Sequence, residues 1–160
     1  MDSQTLRQLG DLIRGRAVAA LATIHDGRPL ASLVPYAIHA DGGGPRLVTH
    51  VSRLSAHTRD MRASPEVCLL VTAAEDSPVP PQALPRVSLF ARATFVDRGH
   101  HDHDALARTY LERFPQAAEW FDLGDFSIVA LDPSGGRFVA GFARAVPVSP
   151  ADLAAALGAA

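Results

Sequence analysis

The sequence predicts a mainly β, α+β fold, namely a closed or nearly closed antiparallel barrel with helices around it. Two observations lead to this prediction. Short apolar runs recur along the chain between turns that contain glycine or proline. Only a few segments have helical periodicity, so strands do not alternate with helices as in a doubly wound sheet. The chain has 160 residues, and we expect a single domain over residues 1–160.

The first third of the chain changes from helical to strand periodicity. An amphipathic helix is predicted over residues 3–15. Residues 17–25 are a strand-like run, the Asp-Gly pair at 26–27 predicts a two-residue hairpin turn, and residues 30–40 return as the partner strand. Pro35 interrupts this second strand. Because proline donates no backbone hydrogen bond, it marks an edge, a bulge or a place where the backbone faces a ligand.

The later elements follow from the same two periodicities. Strands are predicted over residues 46–51, 66–73, 86–97, 125–131 and 137–142. Helical segments are predicted over residues 55–63, 102–114, 115–121 and 150–157. Ser149 is the expected cap of the last helix, with proline at its first position. Residues 74–85 contain four prolines and no periodicity, which predicts a surface loop.

Composition excludes several classes of function. The formal net charge is −2, which gives no overall basic surface for nucleic acid. No apolar run approaches the ~20 residues that span a bilayer, and no signal peptide is expected at the start. Lysine is absent, so Schiff-base chemistry is excluded. The one cysteine, Cys68, is expected to be a small core residue. We expect a cytoplasmic protein with no nucleic-acid and no membrane partner.

A polar cluster follows the third predicted strand. It consists of Ser52, Ser55, His57, Thr58 and Arg59. Ser55 is a good candidate for the N-cap, so the next residues lie beside N–H groups that have no partner within the helix. Such a helix N-terminus suits a phosphate group. From these residues alone, a capped helix with a solvated face is an equally good interpretation.

Other motifs with known chemistry are lacking, and no catalytic residues are identified. The sequence has no P-loop, no dinucleotide fingerprint after a strand and no nucleophile elbow, and its GGG run at 42–44 is interpreted as a hairpin turn. A histidine- and aspartate-rich run occupies residues 100–104. Histidines at this spacing diverge around a helix, so we expect no metal site there.

Five segments together carry a family resemblance. They are ASLVPY (31–36), SRLSAHTRDMRASPEVCLL (52–70), PRVSLFARA (85–93), GDFSIVALDP (124–133) and RFVAGFARA (137–145). In this order they resemble the FMN-binding split-barrel proteins related to pyridoxamine 5′-phosphate oxidase, and most of all their haem-utilisation (haem-degrading) branch. The resemblance covers nearly the whole chain. It implies a six-stranded split barrel and a homodimer with FMN in clefts between the subunits.

The resemblance also implies which residues contact the flavin ring. Ser32, Leu33 and Val34 match a strand whose edge runs along the ring. Arg86 matches a strand position that reaches the cofactor from the second subunit. A guanidinium at that position suits a phosphate or a flavin carbonyl.

The phosphate end of the cofactor is implied in the same way. The positions matching those that hold the phosphate and ribityl chain are Thr49, Ser55 and His57. Relatives of the oxidase type carry an Arg-Lys pair where this chain has Ala-His at 56–57, so the phosphate charge must be met differently. The candidates are His57, Thr58 and the amides of the first turn, with Arg59 as support.

The segment 141–144 is a weaker candidate for the substrate side of the cleft. It follows the last predicted strand and carries Phe142 and Arg144. In this family the corresponding end of the barrel lies near the active site. Strand packing by Phe142 and a surface ion pair of Arg144 explain these residues equally well.

The resemblance implies an FMN-dependent oxidoreductase that acts on a small molecule, with haem or a related tetrapyrrole as the leading substrate. Two other functions stay open: a flavin- or haem-binding carrier or sensor without turnover, and a pyridoxamine-phosphate-type oxidase. The last ranks lower because the family's C-terminal histidine is missing. We expect the chain to lack the extra C-terminal domain of longer haem-degrading relatives, and its segment 150–160 offers no histidine for iron.

Overall fold

The computed structural model describes residues 1–75, 79–142 and 144–158. In these ranges eight strands form one antiparallel sheet, accompanied by five α-helices. The strands are β1 (Val18–His25), β2 (Arg28–Pro35), β3 (Ala37–Asp41), β4 (Gly44–Ser52), β5 (Glu66–Thr72), β6 (Arg86–Val96), β7 (Phe126–Val139) and β8 (Ala145–Val148). The helices are α1 (Ser3–Gly15), α2 (Ala56–Ala63), α3 (His103–Arg113), α4 (Ala118–Phe121) and α5 (Pro150–Leu157). None of the helices in the described ranges is long and apolar enough to cross a membrane.

The strand order is β2-β1-β5-β6-β7-β4-β3, and β8 pairs with the end of β7. The main apolar core takes side chains from seven of the eight strands, which means that the sheet curves around it. Helices α1 and α5 cover this core through Leu9, Ile13 and Leu153. A second, smaller core lies between the outer side of the sheet and α3, around Tyr110.

The prediction of six strands in a barrel is corrected by the structure. Eight strands are present in the described residues, and the hydrogen-bonded path is open between β2 and β3. The segment 30–40, predicted as one strand, divides after Pro35 because the next residue, Tyr36, donates its amide hydrogen to Ala17 O. Pro35 thus ends an edge strand that pairs with β1 alone, one of the three outcomes expected for it.

The predicted end of the sheet also differs. Residues 125–131 and 137–142 were expected to be two strands, but β7 runs through both. Gly135 lies at φ 146°, and the pairing register with β6 shifts between Phe90 and Ala91, so a bulge replaces the expected turn. A short further strand, β8, follows where none was predicted.

Two local predictions are confirmed. Asp26 and Gly27 both have positive φ, 49° and 75°, which is the geometry of the predicted hairpin turn. Ser149 caps α5 and forms a capping box with Asp152. These elements depend on neighbouring residues only, and this explains why the sequence predicts them well.

His50 is a buried histidine of β4 whose ring faces α3 and α4. Its ring stacks on Phe121 with 4.0 Å between the centroids, and its Nδ1 has no hydrogen-bond partner among the described residues. Burial lowers the pKa of His50 to about 4, and a positive charge on His103 also lowers it, whereas Asp125 opposes these effects. The folded protein therefore holds a neutral His50 through mildly acidic pH.

We predict that this histidine weakens the fold in acid. Between pH 6.5 and about 4 the unfolded chain binds a proton that the folded chain excludes, so the free energy of unfolding falls by about 3 kcal/mol as pH decreases. Urea unfolding across this pH range measures the slope. His50→Phe should flatten the slope, and His100→Phe, an exposed control, should keep it. Equal slopes in both variants would contradict the prediction.

Candidate functional site

The predicted phosphate cluster lies at the N-terminus of α2. Ser55 is the N-cap, as predicted, and its side chain makes no capping hydrogen bond, so the hydroxyl is available to a ligand. His57 is half-buried, and burial lowers its pKa while the nearby Asp60 opposes this shift. Arg59 is exposed. The structure thus brings a free hydroxyl, an imidazole and a guanidinium to one helix end.

Two residues of the predicted set point elsewhere. Thr58 is buried, and its hydroxyl donates to Ser52 O at 2.7 Å, which closes the turn before α2. Thr49 is fully buried on β4, at alternate positions with Leu47 and Val51 of the main core. Its hydroxyl has no partner among the described residues. Neither hydroxyl lies at the surface with Ser55.

A buried network under α2 was missed at the sequence level. Asp60 is 5 % exposed; it accepts a hydrogen bond from Thr23 Oγ1 at 2.7 Å, and its other oxygen lies 2.7 Å from His25 Nδ1. Burial alone would raise the pKa of Asp60, but the hydrogen bonds from His25 and Thr23 outweigh it and hold the pKa below its usual range. Asp60 is therefore a buried carboxylate that ties α2 to β1.

The sequence did contain a signal for this network. Thr23 and His25 are two residues apart on β1, so they share the inward face of that strand. Asp60 is flanked on α2 by Thr58 and Met61, which are both buried. An acidic residue on the inner face of a helix indicates a partner on the opposite element, although it does not name the partner.

The outward side of β2, β1, β5 and β6 carries a cluster of apolar side chains, which we call the apolar face; Ser88 and the ion pair of Glu66 with Arg92 lie on the same side. Its members form cross-strand rows and are Ala20, Ala22, Ile24, Ala31, Leu33, Cys68, Leu70 and Phe90. Leu33 is 73 % exposed and Phe90 55 %. Apolar patches of this kind mark interaction surfaces.

Several predicted residues are placed relative to this face. Leu33 belongs to it, whereas Val34 points into the core and Ser32 is partly buried. Cys68, expected in the core, instead lies half-buried on the apolar face, because it alternates with the buried Val67 and Leu69. Burial still raises the pKa of its thiol, so it is not activated.

The remaining predicted residues lie further along the sheet. Arg86 begins β6, and its guanidinium donates to the carbonyls of Gln82 and Leu84 at 3.2 and 3.1 Å. Phe142 is exposed after β7. Arg144 lines a cavity of about 310 Å³ beside the starts of α1 and α5, away from α2. Residue 143, between these two, lies outside the described residues.

The histidine-rich run is more compact than its spacing suggested. The ligand atoms of His100, His101 and Asp102 lie within 4.8 Å of one another. They gather because they precede α3 in a turn, where the divergence expected on a helix does not apply. Asp102 is already paired with Arg46 at 2.9 Å, which lowers the pKa of that carboxyl.

Comparison with known families gives one match over most of the chain. A family model described as pyridoxamine 5′-phosphate oxidase matches residues 6–140. The non-canonical chloroplastic haem oxygenase HOZ of Arabidopsis thaliana is 33 % identical over 143 residues, which are 88 % of this chain and 41 % of the relative. The haem oxygenase HutZ of Vibrio cholerae is 30 % identical over 140 residues, 86 % of this chain and 77 % of the relative.

Solved structures give the same fold. A haem-binding protein from Mycobacterium smegmatis aligns with a TM-score of 0.83 and 25 % identity, covering 99 % of this chain and 63 % of that one. HutZ of Vibrio cholerae, solved as a haem storage protein, aligns with a TM-score of 0.66 and 24 % identity, covering 81 % and 86 %. The chain thus spans under two thirds of the Arabidopsis and Mycobacterium proteins.

Proposed function

This chain belongs to the pyridoxamine 5′-phosphate oxidase family, in its haem-utilisation branch, and from that premise we propose that it is an FMN-binding oxidoreductase acting on haem or a related tetrapyrrole. One observation carries the proposal. The N-terminus of α2 presents Ser55, His57 and Arg59, and the same chain carries the apolar face on β2, β1, β5 and β6. The first feature suits a phosphate and the second a flat ring or a second subunit.

The residues at α2 fit the phosphate of FMN. The uncommitted hydroxyl of Ser55 and the first-turn amides are donors for its oxygens. Burial lowers the pKa of His57, and its imidazole offers a hydrogen bond to the phosphate. The charge carried by Arg-Lys in relatives then falls to Arg59 and to the helix dipole. FMN supplies the redox chemistry when bound, and the chain holds and orients it.

The proposed assembly is a homodimer joined through the apolar face. In a two-fold dimer the apolar face of one copy packs against the apolar face of the other. The rows that contain Leu33 and Phe90 therefore become buried in both copies. Leu33 lies on the edge strand β2 that the resemblance assigns to the flavin ring. The cofactor would then lie in a cleft between the two copies.

A carrier without turnover is the second candidate. Vibrio cholerae HutZ is described both as a haem oxygenase and as a haem storage protein, so the relatives do not separate degradation from storage. Adding haem, a reductant and oxygen to the FMN-loaded protein does. Decay of the haem absorption band supports the oxidoreductase, and a stable haem complex supports the carrier.

The cofactor site is tested by the double variant Ser55→Ala with His57→Ala. We expect FMN binding to weaken by ~1–3 kcal/mol for each hydrogen bond to the charged phosphate that the variant removes. Quenching of flavin fluorescence during titration measures the affinity. The matched control is Ser3→Ala with His100→Ala, two exposed positions away from α2. Equal FMN affinity in both double variants would remove Ser55 and His57 from the site, and no uptake by the wild type would overturn the flavin proposal.

A further inference from the structure

A cavity of about 230 Å³ lies among β4, the end of β6 and the start of β7. Its lining includes three arginines, Arg53, Arg62 and Arg98. They come from three separate segments, namely the turn before α2, the last turn of α2 and the residues after β6. One carboxylate, that of Asp97, also lines the cavity, so positive charge is in excess there. Neither the residues proposed for FMN nor the apolar face contributes to the lining.

The three arginines have hydrogen-bond donors to spare. None of them forms an ion pair with a described residue. Arg53 donates from Nη2 to Gly124 O at 2.8 Å. Arg98 donates from Nη2 to Phe121 O. Because a guanidinium carries five N–H donors, both keep most of their donors for a ligand. The guanidinium of Arg62 lies against an aromatic ring, with its carbon 3.9 Å from the ring centroid.

His50 gives a second, independent indication of a ligand. It is 8 % exposed, it lines the same cavity, and its Nδ1 has no hydrogen-bond partner among the described residues. Stacking on Phe121 fixes the plane of its ring. Buried polar groups without a partner are uncommon in folded proteins. Since the ring lines the cavity, an oxyanion bound there would give its N–H an acceptor.

We propose that this cavity is an anion site that binds a phosphate group, either inorganic phosphate or a small phosphate monoester, separately from the flavin. Arg53, Arg62 and Arg98 donate hydrogen bonds to the phosphate oxygens, and the ring of His50 donates a further one. The inference does not depend on the proposed function.

The shape of the cavity favours a phosphate over other anions. A carboxylate presents two oxygens in one plane, which a single guanidinium can satisfy. A phosphate presents its oxygens in tetrahedral directions, so it can meet guanidiniums that come from three segments of the chain. Pockets for drug-sized ligands have volumes of roughly 300–1,000 Å³. The smaller volume here suits a phosphate or a small monoester better than FMN or haem.

The test is calorimetric titration of the FMN-loaded full chain with inorganic phosphate, glycerol phosphate and acetate. Bound FMN keeps these anions away from the N-terminus of α2. The variant Ser55→Ala with His57→Ala serves the same purpose if the chain takes up no FMN. We expect saturable binding of one or both phosphates in each protein, and weaker binding of acetate. The tighter of the two phosphates shows whether the site takes the free ion or a monoester.

The variant Arg53→Gln with Arg62→Gln should bind phosphate at least about tenfold more weakly, because each guanidinium provides charge-assisted hydrogen bonds. The matched control is Arg7→Gln with Arg108→Gln, which removes the same charge from exposed positions outside the cavity and should leave the affinity unchanged. Circular dichroism reports whether both variants are folded.

NMR spectroscopy locates the bound anion. The ring signals of His50 should move during the phosphate titration with the calorimetric affinity. Those of His39, which is on β3 and outside the lining, should stay in place.

Four results would overturn the inference. They are no saturable phosphate binding by the wild type, equal phosphate affinity of the two double arginine variants, acetate binding as tight as phosphate binding, and phosphate binding that leaves the His50 signals unmoved. Phosphate that binds only without FMN and only with Ser55 and His57 intact would belong to the flavin site and would count against it too. FMN titration judges the proposed function separately, so the two can fail independently.

Discussion

Replacing Leu33 and Phe90 together with aspartate is expected to convert the protein into a monomer. Both side chains are largely exposed in one protomer, so the fold of the single chain should persist. In the proposed dimer they lie inside an apolar interface, where an unpaired carboxylate costs several kcal/mol. Because the dimer is two-fold symmetric, each substitution occurs twice in the interface, once from each copy. We therefore expect the dissociation constant to rise by more than about 10³.

Light scattering and sedimentation equilibrium measure this change. The control variant Gln8→Asp with Arg108→Asp adds charge to exposed positions of α1 and α3 and should remain dimeric. Circular dichroism reports whether the protomer fold is intact. A dimer mass for the Leu33/Phe90 variant, or a monomeric wild type, would show that the apolar face serves another purpose.

Gly136→Ala is expected to destabilise the sheet strongly. A Cβ at this position would lie 2.2 Å from the backbone oxygen of Ser88 on β6, and backbone cannot turn aside as a flexible side chain can. Strands β6 and β7 would have to separate where Gly136 pairs with Leu89. We expect a loss of about 3 kcal/mol in the free energy of unfolding, or a fall in Tm of roughly 10 °C.

The same substitution at Gly42 provides the control. Gly42 lies in the turn between β3 and β4, and an added Cβ there meets nothing within 4 Å. The melting temperatures of the two variants should therefore differ by nearly the full fall of roughly 10 °C expected for Gly136→Ala. Equal melting temperatures would mean that the β6–β7 contact is looser than the structure indicates.

The fold was predictable from sequence wherever the cause is local. The turn at Asp26-Gly27 and the cap at Ser149 both act within four residues. The continuity of β7 was not predictable, because Pro-Ser-Gly-Gly at 133–136 has the composition of a turn. Its extended course depends on pairing with β6, more than 40 residues away, and on the bulge at Phe90. The pairing register of two strands so far apart in sequence cannot be inferred from the local residue pattern.

The candidate site divides in the same way. Ser55 as the helix cap follows from its neighbours. Thr58 was expected to contact the phosphate, but its hydroxyl is buried and donates to Ser52 O, six residues back. The contact between Asp60 and His25 spans 35 residues and exists because α2 packs against β1. Periodicity indicates that each residue faces inward, but only the tertiary structure shows that they meet.

Tyr36 has a mechanical role that follows from the strand order. The two edge strands β2 and β3 are joined by this single residue, yet no ladder hydrogen bonds connect them. Tyr36 is fully buried, and its hydroxyl donates to Ile13 O at 2.6 Å. Because no strand hydrogen bonds join β2 to β3, the buried side chain of Tyr36 helps to hold these two edges together. Separating β2 from β3 would therefore expose Tyr36 and break the hydrogen bond of its hydroxyl, but it would cost no strand pairing.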